Sequence, residues 1–327
     1  MLRKDISRIN KKSKIYIAGH KGMVGSSIVK VLKNGGYNNL VLKDSCQLDL
    51  RNQNKVNSFF KKENPEVVII AAAKVGGIKA NNIYRAEFIY DNIMIESNLI
   101  HSSYNYKVKK LIFLGSSCIY PKLSEQPMKE EYLLTNFLEY TNEPYAIAKI
   151  TGIKLCESYY KQYGCNFFSL MPTNLFGYND NFNLETSHVL PALLKKIHNA
   201  KENNNSEISV WGTGKPKREF LFVDDLAEAI KFCLENIESK DLYENNITHL
   251  NVGTGKDISI KDLIDLIANI IGYKGNIVFD KSMPDGTFRK LLDVSRINNL
   301  GWKYQTKLSE GINKTYKWYI INKKNNV

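Results

Sequence analysis

A glycine-rich turn near the amino terminus constrains the fold of this chain more than any other feature. The apolar stretch 14–18 predicts a short strand, the turn carries Gly19, Gly22 and Gly25, and residues 26–33 have helical periodicity. Strand, glycine turn and helix in this order are typical of a dinucleotide-binding unit, because residues without side chains let the backbone and the helix N-terminus approach a pyrophosphate. The alternative is an ordinary connection between a strand and a helix.

The rest of the chain continues the alternation of strands and helices as far as about residue 176. This pattern predicts an α/β fold: a Rossmann doubly wound parallel sheet with a smaller α/β lid domain that binds substrate. Strands are predicted at 39–43, 66–71, 110–114 and 166–171, and helices at about 84–105 and 144–163. The expected domains are 14–175 with about 220–255 for the nucleotide, about 176–219 with 256–322 for the lid, and a basic extension at 1–13.

Composition excludes several classes of protein. Hydrophobic residues make up 43% of the 327, and no apolar run approaches the roughly 18 residues of a membrane span. The amino terminus lacks the apolar core of a signal peptide, so we expect a cytoplasmic protein with no membrane partner. An odd cysteine count without paired spacing and scattered histidines predict neither a disulfide framework nor a metal site.

The net charge of +13 is spread along the chain beyond its basic amino terminus. Nucleic-acid binders concentrate such charge and interleave it with exposed aromatic residues. A dispersed excess instead attracts anionic cofactors and substrates. We therefore expect small anionic ligands and no nucleic-acid partner.

The stretch 115–149 carries the residues most suited to chemistry. Ser116 and Cys118 follow the strand at 110–114 and point the same way if the chain stays extended. Tyr145 and Lys149 are four residues apart, which places them on one face of a helix. A lysine ammonium favours the phenolate, so the pair could protonate a ketone oxygen during hydride transfer, with Ser116 holding that oxygen. The alternative is a chance spacing on an ordinary helix.

The residue that ends the second strand indicates which nicotinamide cofactor is bound. An acidic residue there bonds the ribose 2′-hydroxyl of NAD, whereas a basic residue accommodates the 2′-phosphate of NADP. Lys43 and Lys21 favour NADP, although Asp44 adjoins them. Asp49 and Leu50 are expected beside the adenine.

Several motifs span nearly the whole chain beyond residue 13, in order, and together they resemble those of the GDP-L-fucose synthases, which are extended short-chain dehydrogenase/reductases. They are 18–25 (AGHKGMVG), 71–78 (AAAKVGGI), 115–122 (GSSCIYPK), 142–149 (NEPYAIAK), 171–175 (MPTNL), 187–189 (SHV), 218–221 (REFL) and 251–255 (NVGTG). The resemblance implies an NADPH-dependent 4-reductase of a GDP-4-keto-6-deoxy sugar with 3,5-epimerase activity. It also implies a homodimer, and a product used in surface glycans such as a capsule.

The resemblance implies a role for particular residues. Ser116, Tyr145 and Lys149 match the reductase triad, and Cys118 and His188 match the epimerisation pair. A C4 ketone acidifies the C3 and C5 protons, so inversion there needs a base and an acid on opposite faces. The alternatives are a small buried thiol at Cys118 and a helix-capping or core histidine at His188.

The glycine turn, the strand ends and the resemblance together predict the binding residues. Those expected to contact NADP(H) are Gly19, Lys21, Gly22, Met23, Val24, Gly25, Lys43, Asp49, Leu50, Ala72, Ala73, Lys149, Pro172, Asn174, Leu175 and His188. Those expected to line the GDP-sugar site are Ser117, Asn174, Trp211, Arg218, Asp285 and Lys290. For the charged residues, ordinary solvated surface charge is the alternative.

The chain departs from the family pattern in places that bear on substrate and cofactor. An arginine common after the second strand is absent from 43–46, which weakens the preference for NADP, and Phe222 and Phe288 replace a histidine and a proline. Such changes could admit a larger sugar, so a reductase-only enzyme of a GDP-4-keto-6-deoxy-heptose, acting after a separate epimerase, is the main alternative. A non-catalytic NADP-binding sensor is a more distant one.

Overall fold

The structure, a computed structural model, describes residues 9–184, 186–283 and 285–323. Most of the expected basic extension therefore lies outside the described residues. The strands are Ile15–Ala18 (β1), Leu40–Val41 (β2), Val67–Ile70 (β3), Lys110–Leu114 (β4), Phe167–Pro172 (β5), Asn174–Phe176 (β6), Glu207–Trp211 (β7), Lys217–Phe222 (β8), Leu250–Val252 (β9), Asp257–Ser259 (β10), Asn276–Asp280 (β11) and Arg289–Lys290 (β12).

Helices separate most of these strands, as the periodicity predicts. The α-helices are Met23–Asn34 (α1), Gln53–Glu63 (α2), Ile78–Ile83 (α3), Arg85–Asn105 (α4), Glu143–Tyr163 (α5), Val189–Glu202 (α6), Val223–Asn236 (α7), Ser239–Tyr243 (α8), Ile260–Ile271 (α9), Ser295–Asn299 (α10) and Leu308–Asn322 (α11). Within the described residues no helix combines the length and the apolar character needed to span a bilayer.

Six parallel strands form the central sheet in the order β2-β1-β3-β4-β5-β9. Every residue of β1, β3, β4 and β5 is buried, which explains why these strands read as continuous apolar runs rather than as alternating ones. Helix α4 packs on α5 and α2, and α1 packs on α7. The predicted doubly wound α/β sheet is confirmed.

A second hydrophobic core lies in the carboxyl-terminal half. It is built from α6, α9 and α11 around β7, β8 and β11, with Leu194, Phe220, Ile267 and Ile312 among its buried residues. Strand β8 pairs with β10, β12 and β6, and β7 pairs with β11. The segment that contains Leu292 and Trp302 packs instead with the core around the central sheet.

Glu219 connects the two parts of the fold. Its carboxylate accepts hydrogen bonds from the backbone N–H groups of Thr254 (2.6 Å), Gly255 (2.7 Å) and Leu292 (2.9 Å). Burial raises the pKa of this carboxyl, and the backbone donors oppose that effect. Because Glu219 is fully buried, these bonds fix the start of β8 against the loops that follow β9 and β12.

Candidate active site

The glycine turn between β1 and α1 brings three backbone segments into close approach. Gly19 has φ of +84°, and a Cβ there would lie 2.7 Å from the backbone nitrogen of Ala72. A Cβ on Gly25 would lie 2.1 Å from the carbonyl oxygen of Gly19. Only glycine fits either position, so the turn and the N-terminus of α1, with Met23 and Val24, present backbone groups that suit a pyrophosphate.

The loop after β3 is fixed by a residue that sequence reasoning missed. Asn92 of α4 is fully buried, and its side chain accepts from the backbone N–H of Lys74 at 2.8 Å and donates to the Lys74 carbonyl at 3.0 Å. These two bonds fasten the loop that contains Ala72 and Ala73 to α4. The sequence signal that could have identified Asn92 is a polar residue on the inward face of a predicted helix.

The predicted 2′-phosphate pocket contains an ion pair. Lys21 Nζ lies 2.6 Å from Asp44 Oδ2, and each group shifts the pKa of the other in the direction that keeps both charged. Oδ1 of Asp44 also accepts from the backbone N–H groups of Cys46 and Gln47. Lys43 is half-buried beside them. The pocket is therefore basic, but the Asp44 carboxylate neutralises part of its positive charge.

Asp49 and Leu50, expected beside the adenine, lie in the loop that precedes α2. Arg51 donates from Nε to Asp49 at 3.0 Å and lies 3.3 Å from Asp91 of α4. The Leu50 carbonyl accepts from the Asn98 side chain at 2.9 Å. This loop is thus tied to α4 by two independent contacts.

Ser116, Cys118 and Tyr145 lie together at the carboxyl end of β4. Residues Ser117–Ile119 form one turn of 3₁₀-helix, and the Ser116 hydroxyl accepts from the Cys118 N–H at 3.4 Å. The expectation that the chain stays extended is therefore wrong here, because the Ser116 cap starts a helical turn that also buries Ser117. Ser116 nevertheless interacts with the Tyr145 phenol and lowers its pKa, and the Cys118 thiol lies close enough to raise that pKa.

Lys149 follows Tyr145 by one turn of α5, as the spacing predicts. Its ammonium lies 5.8 Å from the centroid of the Tyr145 ring and 4.7 Å from that of Phe113. It also lies 2.8 Å from Oε1 of Glu96, a residue of α4 that sequence reasoning missed. Burial raises the pKa of Tyr145, and the Cys118 and Glu96 charges raise it further, so the phenol is protonated at neutral pH and the expectation of a readily formed phenolate is wrong.

His188 is the N-cap residue of α6, and its side chain makes no capping hydrogen bond. The preceding Thr186 carbonyl accepts from the Gly77 N–H at 2.9 Å, which joins this segment to the loop after β3. His188 is exposed to solvent, yet the neighbouring protein desolvates its imidazole enough to lower the pKa of the ring. A neutral imidazole can act as a base near neutral pH, and its protonated form can act as an acid.

Strands β5 and β6 carry three predicted contacts. Pro172 ends β5 beside Val252 of β9. The Asn174 side chain donates to the Glu219 carbonyl at 2.8 Å, and Leu175 packs against the central core. The Asn174 amide is thus positioned by β8.

The remaining predicted substrate residues lie in the second part of the fold. Trp211 ends β7 and is 69% exposed. Asp285 accepts from the N–H (2.8 Å) and hydroxyl (2.7 Å) of Thr213, so it fixes the turn after Trp211. Lys290 pairs in register with Arg218, and burial lowers the pKa of Arg218 while the Asp285 charge opposes that shift. Two cations and an exposed indole thus share one region.

No group of three or more histidine, cysteine or acidic side chains suited to a metal ion occurs in the part of the chain that the structure describes. The glycine cradle, the basic pocket after β2 and the Ser116–Tyr145–Lys149 arrangement define a class of protein: a Rossmann-fold oxidoreductase that uses a nicotinamide dinucleotide.

Comparison with known proteins gives the family. Residues 15–253 match the NAD dependent epimerase/dehydratase family, and the chain belongs to that family. It is 53% identical to the GDP-L-fucose synthase of Escherichia coli strain K12, over 95% of this chain and 98% of the relative. It is 52% identical to GDP-L-fucose synthase 1 of Arabidopsis thaliana, over 97% of this chain and 96% of the relative.

Solved structures agree with these relatives. The GDP-mannoheptose C4 reductase MlghC of Campylobacter jejuni, solved with NADP bound, is 45% identical, covers 95% of this chain and 99% of its own, and superposes with a TM-score of 0.88. The predicted resemblance, the predicted enzyme class and the predicted NADP(H) cofactor are confirmed. The roles of individual residues stay predictions.

Proposed function

We propose that this chain is an NADPH-dependent 4-reductase of a GDP-4-keto-6-deoxy sugar with 3,5-epimerase activity, as in the GDP-L-fucose synthases. The observation that carries the proposal is the packing of the turn after Ser116 against α5, which brings the Ser116 hydroxyl to the Tyr145 phenol, with the Lys149 ammonium 5.8 Å from the Tyr145 ring. Identity of 52–53% to GDP-L-fucose synthases, against 45% to the mannoheptose reductase, favours the hexose as substrate.

Reduction at C4 needs a proton donor at the carbonyl oxygen. NADPH, when bound, supplies the hydride. The raised pKa of Tyr145 keeps its phenol protonated at neutral pH, which is the form that donates. Ser116 orients that phenol and can donate to the same oxygen, and Lys149 supplies the positive charge that stabilises the phenolate left behind.

Epimerisation needs a base and an acid beside the C3 and C5 protons. Cys118 lies next to Tyr145, so its thiol is placed beside a sugar whose C4 oxygen meets the phenol. His188, with its lowered pKa, is neutral at pH 7 and can exchange a proton from the other side. The thiol first gives up a proton and the neutral imidazole takes one up, through exchange with solvent. The thiolate then removes the carbon-bound proton on one face and the imidazolium returns a proton on the other, which inverts the carbon and regenerates the thiol and the neutral imidazole.

Binding of the cofactor and of the GDP portion falls to opposite parts of the fold. Gly19 and Gly25 leave space for the pyrophosphate of NADPH, and Lys21 and Lys43 suit its 2′-phosphate. Arg218 and Lys290 suit the diphosphate of the substrate, and Trp211 offers a stacking surface. We therefore infer the predicted division into a nucleotide domain and a lid.

A second copy of the chain is the proposed partner. A shallow cavity of about 350 Å³ on the outer face of α5 is lined by Leu134, Leu138, Ile147 and Leu155 among others. Tyr90 of α4 is also 62% exposed. Exposed apolar side chains on two neighbouring helices support a homodimer through them.

The free state of all five cysteines supports a cytoplasmic site, where the product could serve surface-glycan synthesis such as that of a capsule.

The proposal is tested by supplying substrate with NADPH and identifying the product by NMR. With GDP-4-keto-6-deoxy-mannose we expect NADPH oxidation and a product reduced at C4 and inverted at C3 and C5. Preferential turnover of the heptose counterpart, without inversion, would establish the reductase-only alternative instead. Cofactor binding without oxidation of NADPH by either substrate would indicate a sensor.

A further inference from the structure

A buried carboxylate holds the lysine of the proposed triad. Glu96 Oε1 lies 2.8 Å from Lys149 Nζ, and the two side chains are 0% and 2% exposed. Burying two charges is costly, and it is tolerated only where each compensates the other. Removing either partner would leave an uncompensated charge between α4 and α5.

The space around Glu96 is shaped to receive it. A Cβ on Gly152 would lie 2.9 Å from Glu96 Oε2 and 2.4 Å from the Phe113 ring. Glycine at this position of α5 therefore lets α4 approach closely enough for the carboxylate to reach Lys149. The Phe113 ring, 4.7 Å from the ammonium, covers the pair from β4.

Few titratable groups face Glu96. From α5 they are Lys149, Tyr145 and Cys156, and β4 contributes only the apolar Phe113 among the contacts described. Burial raises the pKa of Glu96 to about 7 while Lys149 lowers it, and the Glu96 charge raises the pKa of Tyr145. The carboxylate thus acts on the Tyr145 pKa in the sense opposite to that expected of a neighbouring ammonium.

We propose that Glu96 is a positioning residue that holds the Lys149 ammonium beneath Tyr145 and, by compensating its charge, sets the pH range in which the phenol donates its proton. This inference rests on the roles proposed above for Tyr145 and Lys149. Activity needs both a protonated phenol and a charged ammonium. Without the carboxylate the coupled Tyr145–Lys149 unit is more positive and loses its first proton at lower pH, whichever group releases it.

The test compares the pH dependence of kcat between pH 6 and 10 for the wild type and Glu96→Gln. Glutamine keeps an oxygen for the ammonium but removes the charge. We expect the alkaline limb to move to lower pH by about one unit, with the affinity for NADPH unchanged. Glu157→Gln is the matched control: it removes a carboxylate that pairs with Lys154 and Lys161 further along α5, and its pH profile should coincide with that of the wild type.

An alkaline limb that stays in place in an active Glu96→Gln variant overturns the proposal. If that variant does not fold, Glu96→Asp is the second variant to use. It keeps the negative charge, but its side chain is one methylene shorter, so the carboxylate lies further from Lys149. We then expect kcat to fall about tenfold while the limb and the KM for NADPH stay at their wild-type values. An unchanged kcat in Glu96→Asp also overturns the proposal. A wild type without NADPH oxidation would instead refute the proposed function.

Discussion

The Lys21 ammonium lies 2.6 Å from the Asp44 carboxylate, across the pocket expected to receive the 2′-phosphate of NADPH. The acidic residue would select NAD if it stood alone. The Lys21 ammonium neutralises the negative charge of Asp44, so the pocket keeps the positive charge of Lys43. Within the described residues Lys43 forms no ion pair of its own, so it is available to a phosphate.

Lys43→Glu should raise the KM for NADPH about tenfold or more, because it replaces that cation with a second carboxylate beside Asp44. Initial rates at varied NADPH measure the effect, and the KM for NADH should change much less. Lys33→Glu makes the same charge change in the last turn of α1 and serves as the control. An unaltered KM for NADPH would remove Lys43 from the pocket.

Gly19→Ala should lower the free energy of unfolding by about 2–4 kcal/mol, because the new Cβ meets the Ala72 backbone at 2.7 Å and φ is +84°. Gly164→Ala isolates the cost of the backbone conformation, because Gly164 has φ of +68° and a Cβ there would meet no other described residue within 4 Å. It should cost only about 1 kcal/mol. Urea unfolding compares the two. Equal losses would show that the close approach to Ala72 is not structurally important.

The sequence predicts those parts of the site that depend on local geometry. The Gly19–Gly25 turn and the Tyr145–Lys149 spacing follow from residues within one or two turns of each other, and both have the expected placement. The extended course expected from Ser116 to Cys118 is wrong because a single capping bond converts it to a helical turn.

Contacts between distant elements could not be predicted in this way. Glu96 and Lys149 are 53 positions apart, and only the packing of α4 on α5 brings them together. The same holds for Asn92, which fixes the loop after β3 from a different element. The raised pKa of Tyr145 follows from burial, which the sequence does not reveal.

Cys118→Ser should abolish the entry of solvent deuterium at C3 and C5 while a sugar already inverted at those carbons is still reduced. A serine hydroxyl is far too weakly acidic to supply the anionic base that a thiol can. NMR of the nucleotide sugar in deuterium oxide without NADPH measures the exchange. Cys165→Ser provides the control at a half-buried thiol elsewhere. Exchange at the wild-type rate in Cys118→Ser would assign the base to another residue.

Asp180→Asn should stabilise the protein at pH 8 but not at pH 4. Burial raises the pKa of Asp180 to about 7, and its buried Oδ2 has no hydrogen-bond partner among the residues that the structure describes. The carboxyl's contribution to the stability of the folded state is therefore complete below about pH 4, and it is lost as the pH rises through about 7. We expect a difference of about 1–2 kcal/mol at pH 8 in urea unfolding. A difference independent of pH would contradict this account.

The central claim is that Tyr145 delivers the proton as hydride reaches C4, and transfer from NADPH deuterated at the donated position tests it most directly. Mass spectrometry and NMR of the product should place deuterium at C4 of the sugar with the wild type. Tyr145→Phe should reduce that transfer by about a hundredfold or more while binding NADPH with unchanged affinity. Transfer at the wild-type rate by Tyr145→Phe would contradict the claim.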